Sequence, residues 1–109
     1  MKLVKEYSVD LTSEDFLLVK IEKLKGKVLD FRVVYLAVID GRKCEIARYD
    51  CHHGFPHKDC FYFQGKDKVK IPLEMGLNDA LVYAVGDLKK NFREMRDKYE
   101  AKHSGNQET

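Results

Sequence analysis

Three of the chain's four histidines, His52, His53 and His57, fall within six positions of one another. They lie in the segment Arg48-Tyr49-Asp50-Cys51-His52-His53-Gly54-Phe55-Pro56-His57-Lys58-Asp59. Imidazole titrates near neutrality, ligates metals and donates hydrogen bonds, so clustering it has chemical consequences. Gly54 and Pro56 mark an irregular turn that folds His53 and His57 back towards each other and towards Arg48 and Asp50. Three kinds of chemistry fit these residue types. In metal-independent phosphodiester cleavage, one histidine takes a proton from a ribose 2′-hydroxyl and another protonates the leaving oxygen. Arg48 or Lys58 then balances the charge of the phosphorane. A metal site would draw on Asp50, His53, His57 and Asp59 or a cysteine, although the spacing matches no closed structural-zinc pattern. The third alternative is structural: a hairpin loop whose histidines cap carbonyls and pair with Asp50.

The first alternative names His53, His57, Arg48 and Asp50 as catalytic residues, Lys58 and Tyr49 as substrate contacts, and requires no metal or other cofactor. Cys44, Cys51 and Cys60 are odd in number and lack a CxxC spacing, which argues against a disulfide framework or zinc ribbon. They read as reduced thiols in strands.

The elements that must position this segment follow from periodicity. A strand is expected at Leu3 to Val9, a turn at residues 10 to 15, and an alternating strand from Phe16 to Leu24. Lys25-Gly26-Lys27 breaks the pattern before a strand resumes near Val28. The β-branched and aromatic run Phe31 to Ile39 then meets Asp40-Gly41, suited to a two-residue turn with positive φ at both positions, and the chain returns from Arg42 to Asp50. A regular ladder sets Tyr35 opposite Ile46, Val33 opposite Arg48 and Phe31 opposite Asp50. Arg48 and Asp50 then share a face at the strand end that runs into the histidines. An aromatic strand is expected at residues 60 to 64 and an edge strand at residues 68 to 71, closed by Pro72.

Leu81, Val85, Leu88, Phe92, Met95 and Tyr99 recur at helical spacing, giving an amphipathic helix from Asn78, as N-cap, to about Ala101. Such a helix overhangs the sheet, which suggests a second copy of the chain as partner. Its Lys89, Lys90, Arg93 and Arg96 form a basic strip interrupted by acids.

The chain has 109 residues and 12.7 kDa, room for one domain. Hydrophobic residues make up 44% and charged residues 35%, with a net charge of +2, values that exclude wholesale disorder. No apolar run approaches the ~20 residues of a membrane helix, and Met1 to Glu6 lacks the stretch of a signal peptide, so a cytoplasmic protein is expected. The expected fold is α+β: a meandering antiparallel sheet of five or six strands packed against one long C-terminal helix. Residues 1–101 would form the domain and residues 102–109 a disordered tail, with His103 inert.

Arg48-Tyr49-Asp50 followed by His53-Gly54-Phe55-Pro56-His57 resembles a group of small prokaryotic proteins with an R-Y-D then H-G-x-P-H core. More loosely it is similar to the TumE-type toxins of toxin–antitoxin loci. The resemblance implies an α+β ribonuclease acting on RNA, a cognate antitoxin as partner, and site residues Arg48, Asp50, His53 and His57. The contrasting expectation is a non-catalytic homodimeric or partner-binding module with a structural histidine loop.

Overall fold

A computed structural model describes residues 1–51 and 54–105. His52, His53 and the end of the expected tail, residues 106–109, lie outside the described residues. Six strands form one antiparallel sheet in chain order: β1 (Lys2–Asp10), β2 (Asp15–Leu24), β3 (Lys27–Ile39), β4 (Arg42–Asp50), β5 (His57–Cys60) and β6 (Val69–Pro72). One helix, α1 (Leu77–Gly105), packs across β3 and β4. The α+β meander is therefore as expected.

Two tight turns set the first registers. Asp40 and Gly41 have φ of 52° and 76°, the paired left-handed conformation of a two-residue hairpin turn. Lys25 and Gly26 do the same between β2 and β3, with φ of 50° and 79°.

The β3–β4 ladder begins as the turn dictates, with Ile39 opposite Arg42 and Ala37 opposite Cys44, and then slips by one residue. Leu36 faces Glu45 but Tyr35 faces Ala47, leaving Ile46 as an extra residue in β4. Ile46 and Ala47 are both fully buried, which strict alternation forbids and a bulge allows. The expected pairs Tyr35–Ile46, Val33–Arg48 and Phe31–Asp50 are thus replaced by Tyr35–Ala47, Val34–Arg48 and Arg32–Asp50. The bulge also brings Glu45 and Arg48 to one face. Arg48 Nε donates to Glu45 Oε1 at 2.6 Å, a contact that residues three apart in a regular strand cannot make.

The core lies between the inner sheet face and α1. Leu17, Val19, Phe31, Val33, Tyr35, Ile46, Ala47 and Tyr49 meet Ala80, Ala84, Leu88, Phe92 and Met95. Burying Leu88, Phe92 and Met95 contributes roughly 1.5–3 kcal/mol each. The helix stripe starts one position earlier than expected: Ala80 and Ala84 are fully buried, while Leu81 and Val85 are only half-buried. Alanines let the first turns of the helix approach the sheet closely.

Asn78 does not cap the helix. Its Oδ1 accepts from Val28 N at 3.0 Å and ties the start of α1 to β3. At the other end α1 runs on to Gly105, so Lys102 and His103 are helical rather than part of a tail, and His103 packs on the Tyr99 ring at 4.2 Å.

Arg96 leaves the expected basic strip to clamp the sheet. It donates to both Asp15 carboxylate oxygens, to Glu14, Glu100 and the Val38 carbonyl.

The expected strand over residues 60–64 is displaced. Pairing with β4 is made by His57–Cys60, and Phe61 to Phe63 follow as irregular chain with Tyr62 buried.

Candidate functional site

Gly54, with φ of 80°, donates its N–H to the Cys51 carbonyl at 2.9 Å and reverses the chain. The Pro56 carbonyl accepts from Leu73 N, anchoring the bend to the start of α1's approach. The chain then pairs at once with β4, so His57 stands directly opposite Asp50 and Asp59 opposite Arg48. Register carries these pairs across the sheet. One row reads Glu6, Lys20, Arg32, Asp50, His57; the neighbouring row reads Leu18, Val34, Arg48, Asp59. Paired residues share a face, and these rows occupy the one turned away from α1.

At the β4–β5 end of this outer face, His57 Nε2 lies 2.7 Å from Asp50 Oδ1 and 3.7 Å from Asp59 Oδ2. All three residues are buried: Asp50 is 8%, His57 6% and Asp59 3% exposed. The other ring nitrogen, Nδ1, sits 3.2 Å from the Phe55 carbonyl oxygen. A carbonyl can only accept, so a proton on Nδ1 would complete this contact and leave Nε2 turned towards the carboxylates. Asp59 Oδ1 has no hydrogen-bond partner; it is the only such buried side-chain oxygen or nitrogen among the described residues. Lys68 Nζ, half-exposed, stands 4.0 Å from Asp59 Oδ2. Asp50 also lines a depression of about 170 Å3 together with Lys20, Glu22, Asp30, Phe31 and Arg32.

Alternation sends Tyr49, Lys58 and Cys60 to the other side of the same strands. Lys58 Nζ donates to Asp87 Oδ2 at 3.0 Å and stands 5.5 Å from the ring centres of both Tyr49 and Tyr62. Tyr49 Oη donates to Asp87 Oδ2 at 2.5 Å, and Asn91 Nδ2 donates to Asp87 Oδ1 at 2.8 Å. Burial alone would raise the Asp87 carboxyl, but these hydrogen bonds and the Lys58 charge outweigh it and hold Asp87 below its ordinary range. Burial and the bond to Asp87 push the Tyr49 phenol up.

The expected site residues therefore separate. Asp50 and His57 come together, as the bend requires. Arg48 lies on the same face, but its guanidinium is engaged by Glu45 through Nε and Nη2. Lys58 and Tyr49, expected as substrate contacts, are buried against α1 and committed to Asp87. The two-imidazole arrangement rests on His53, which is outside the described residues. The thiols are ill-suited to nucleophilic or ligand roles, since burial pushes Cys51 up to about 11 and also raises Cys60.

Three contributors were not recognised in the sequence. Arg32 and Lys20 join Asp50 only through the one-residue slip at Ile46, which no local pattern announces. Asp87 could have been found as an acid next to Leu88, bordering the apolar stripe of α1.

The chain belongs to the family described as domain of unknown function DUF7718, whose profile matches residues 2–105. No curated protein and no solved structure matches it.

Proposed function

We propose that this member of the DUF7718 family acts on RNA at the outer face of its sheet, in the manner of a small toxin-like ribonuclease. The observation that carries the reading is the cross-strand row Lys20, Arg32, Asp50, His57, which aligns two exposed cations on one face with an imidazole fixed by a carboxylate. Arg32 and Lys20 would hold a phosphodiester over the depression that Asp50 lines, through charge and, for Arg32, paired N–H donors. The Asp50–His57–Asp59 centre would activate the attacking oxygen. The R-Y-D and H-G-x-P-H residues supply Asp50 and His57 to this centre, which accords with the resemblance to TumE-type toxins and makes an antitoxin a natural partner. A strand-borne site also has the rigidity that positioning of a reacting group demands.

The test compares wild-type protein with Arg32→Ala and His57→Asn on structured and unstructured RNA at low and moderate salt. Cleavage or binding by the wild type that weakens with salt is expected. Arg32→Ala should lower affinity and reduce the salt slope by about one, while His57→Asn abolishes turnover with affinity largely kept. An Arg32→Ala protein that binds and cleaves like wild type would refute the reading.

A further inference from the structure

We propose that Asp50, His57 and Asp59 form a binding site for a divalent cation of the Zn2+ or Mn2+ type. His57 Nε2 and one oxygen from each carboxylate would be the protein ligands. This deepens the reading above by naming a cofactor class for the same centre, and its test does not depend on RNA.

Three observations converge. The ligand atoms of the three residues all lie within 4.8 Å of one another, and the residues come from paired positions on adjacent strands or from alternate positions on one strand. The set is therefore held by the ladder rather than by flexible side chains. Second, His57 Nδ1 is committed to the Phe55 carbonyl, the outer hydrogen bond that typically fixes a metal-bound imidazole, and this leaves Nε2 facing the two carboxylates. Third, Asp59 is 3% exposed yet its Oδ1 has no partner among the described residues, while its Oδ2 faces His57 Nε2 beyond hydrogen-bonding distance. A buried carboxylate left in this condition is costly unless something not yet counted satisfies it.

A proton on Nε2 is not enough. It can make one hydrogen bond, to Asp50 at 2.7 Å, and leaves Asp59 only the half-exposed Lys68 ammonium, 4.0 Å from Oδ2. A divalent cation bound by neutral imidazole cancels both carboxylates and gives each an inner ligand bond. One nitrogen and two carboxylate oxygens are borderline donors that suit Zn2+ or Mn2+, and three protein ligands leave a position open for water or a phosphoryl oxygen. The cation would also remove the local repulsion. Two bare carboxylates repel a phosphodiester, whereas a centre neutralised by the metal no longer does, and the ion's open position can accept a phosphoryl oxygen.

The experiment uses untagged full-length protein, stripped with chelator and titrated separately with Zn2+, Mn2+ and Mg2+ by calorimetry and thermal unfolding. Co2+ serves as an optical probe. Saturable binding of one Zn2+ or Mn2+ with a raised unfolding midpoint is expected, and Co2+ should give visible ligand-field bands. The near-isosteric Asp59→Asn should weaken binding at least ~10-fold and lose those bands while the metal-free protein stays folded. Absence of saturable binding, or equal binding by Asp59→Asn, overturns the assignment. RNA cleavage that persists undiminished in excess chelator also overturns it while sparing the functional reading. A protein that binds the ion stoichiometrically but ignores RNA does the reverse.

Discussion

β4 and β5 carry two polar clusters back to back, and they differ in one respect. On the inner face, Asp87 receives hydrogen bonds from Tyr49, Lys58 and Asn91, so each acceptor oxygen is occupied and the Lys58 ammonium is sandwiched by aromatic rings. On the outer face, a histidine and two carboxylates are equally buried, yet Asp59 Oδ1 has no partner among the described residues. The same four-residue strand contributes to both, Lys58 to the inner cluster and His57 and Asp59 to the outer. A complete network such as the inner one ties α1 to the sheet. The incomplete one pays no such structural dividend, which is the pattern expected of a place that takes up something from outside.

The sharpest way to break this contrast is to empty the inner cluster. Asp87→Ala should cost ~3–5 kcal/mol in urea unfolding, because it strands the Lys58 charge and the Tyr49 hydroxyl together. A loss under 1 kcal/mol would mean the inner network is not structural.

A smaller effect comes from acid. Burial raises the Asp15 carboxyl, but hydrogen bonds from Thr12 and Tyr35 and the charge of Arg96 prevail, so folding lowers it from its ordinary 3.8. The stabilisation is therefore complete above that value and is lost as pH falls through the lower, folded value. Stability measured between pH 5 and 2 should decline, and Asp15→Asn should flatten that decline while lowering stability at pH 7. The smallest effect is expected on the outer face. Asp59→Asn in metal-free protein should shift stability by less than ~1 kcal/mol in either direction, since among the described residues Oδ1 has no hydrogen bond to lose. A drop comparable to that of Asp87→Ala would place Asp59 in the framework.

Much of the fold was legible because it rests on local rules. Asp40-Gly41 requires a tight turn, Phe31 to Ile39 suits a central strand, and the spacing of Leu88, Phe92, Met95 and Tyr99 draws one helix face. The candidate site was legible only in its nearest parts. Gly54 and Pro56 announce a reversal, and that alone brings His57 to Asp50. What failed was non-local. Lys58 and Tyr49 look like accessible functional groups until α1 supplies Asp87, 29 residues further on from Lys58. The aromatic run Phe61-Tyr62-Phe63 has stronger strand propensity than His57-Lys58-Asp59-Cys60, yet the latter pairs with β4 because the bend at Gly54 leaves no slack.

Ile46 makes the outer face a matter of parity. With that supernumerary residue in β4, the half of the strand near Asp40-Gly41 and the half near His57 count out of step, odd against even. The hairpin tip can thus keep the inward side chains its turn imposes while Arg48 and Asp50 still look outward. Were Ile46 paired regularly instead of standing out of the ladder, Tyr49 would turn to solvent and Asp50 into the apolar interior, so the address of every reactive group beyond it depends on one hydrophobic side chain that takes no part in the chemistry.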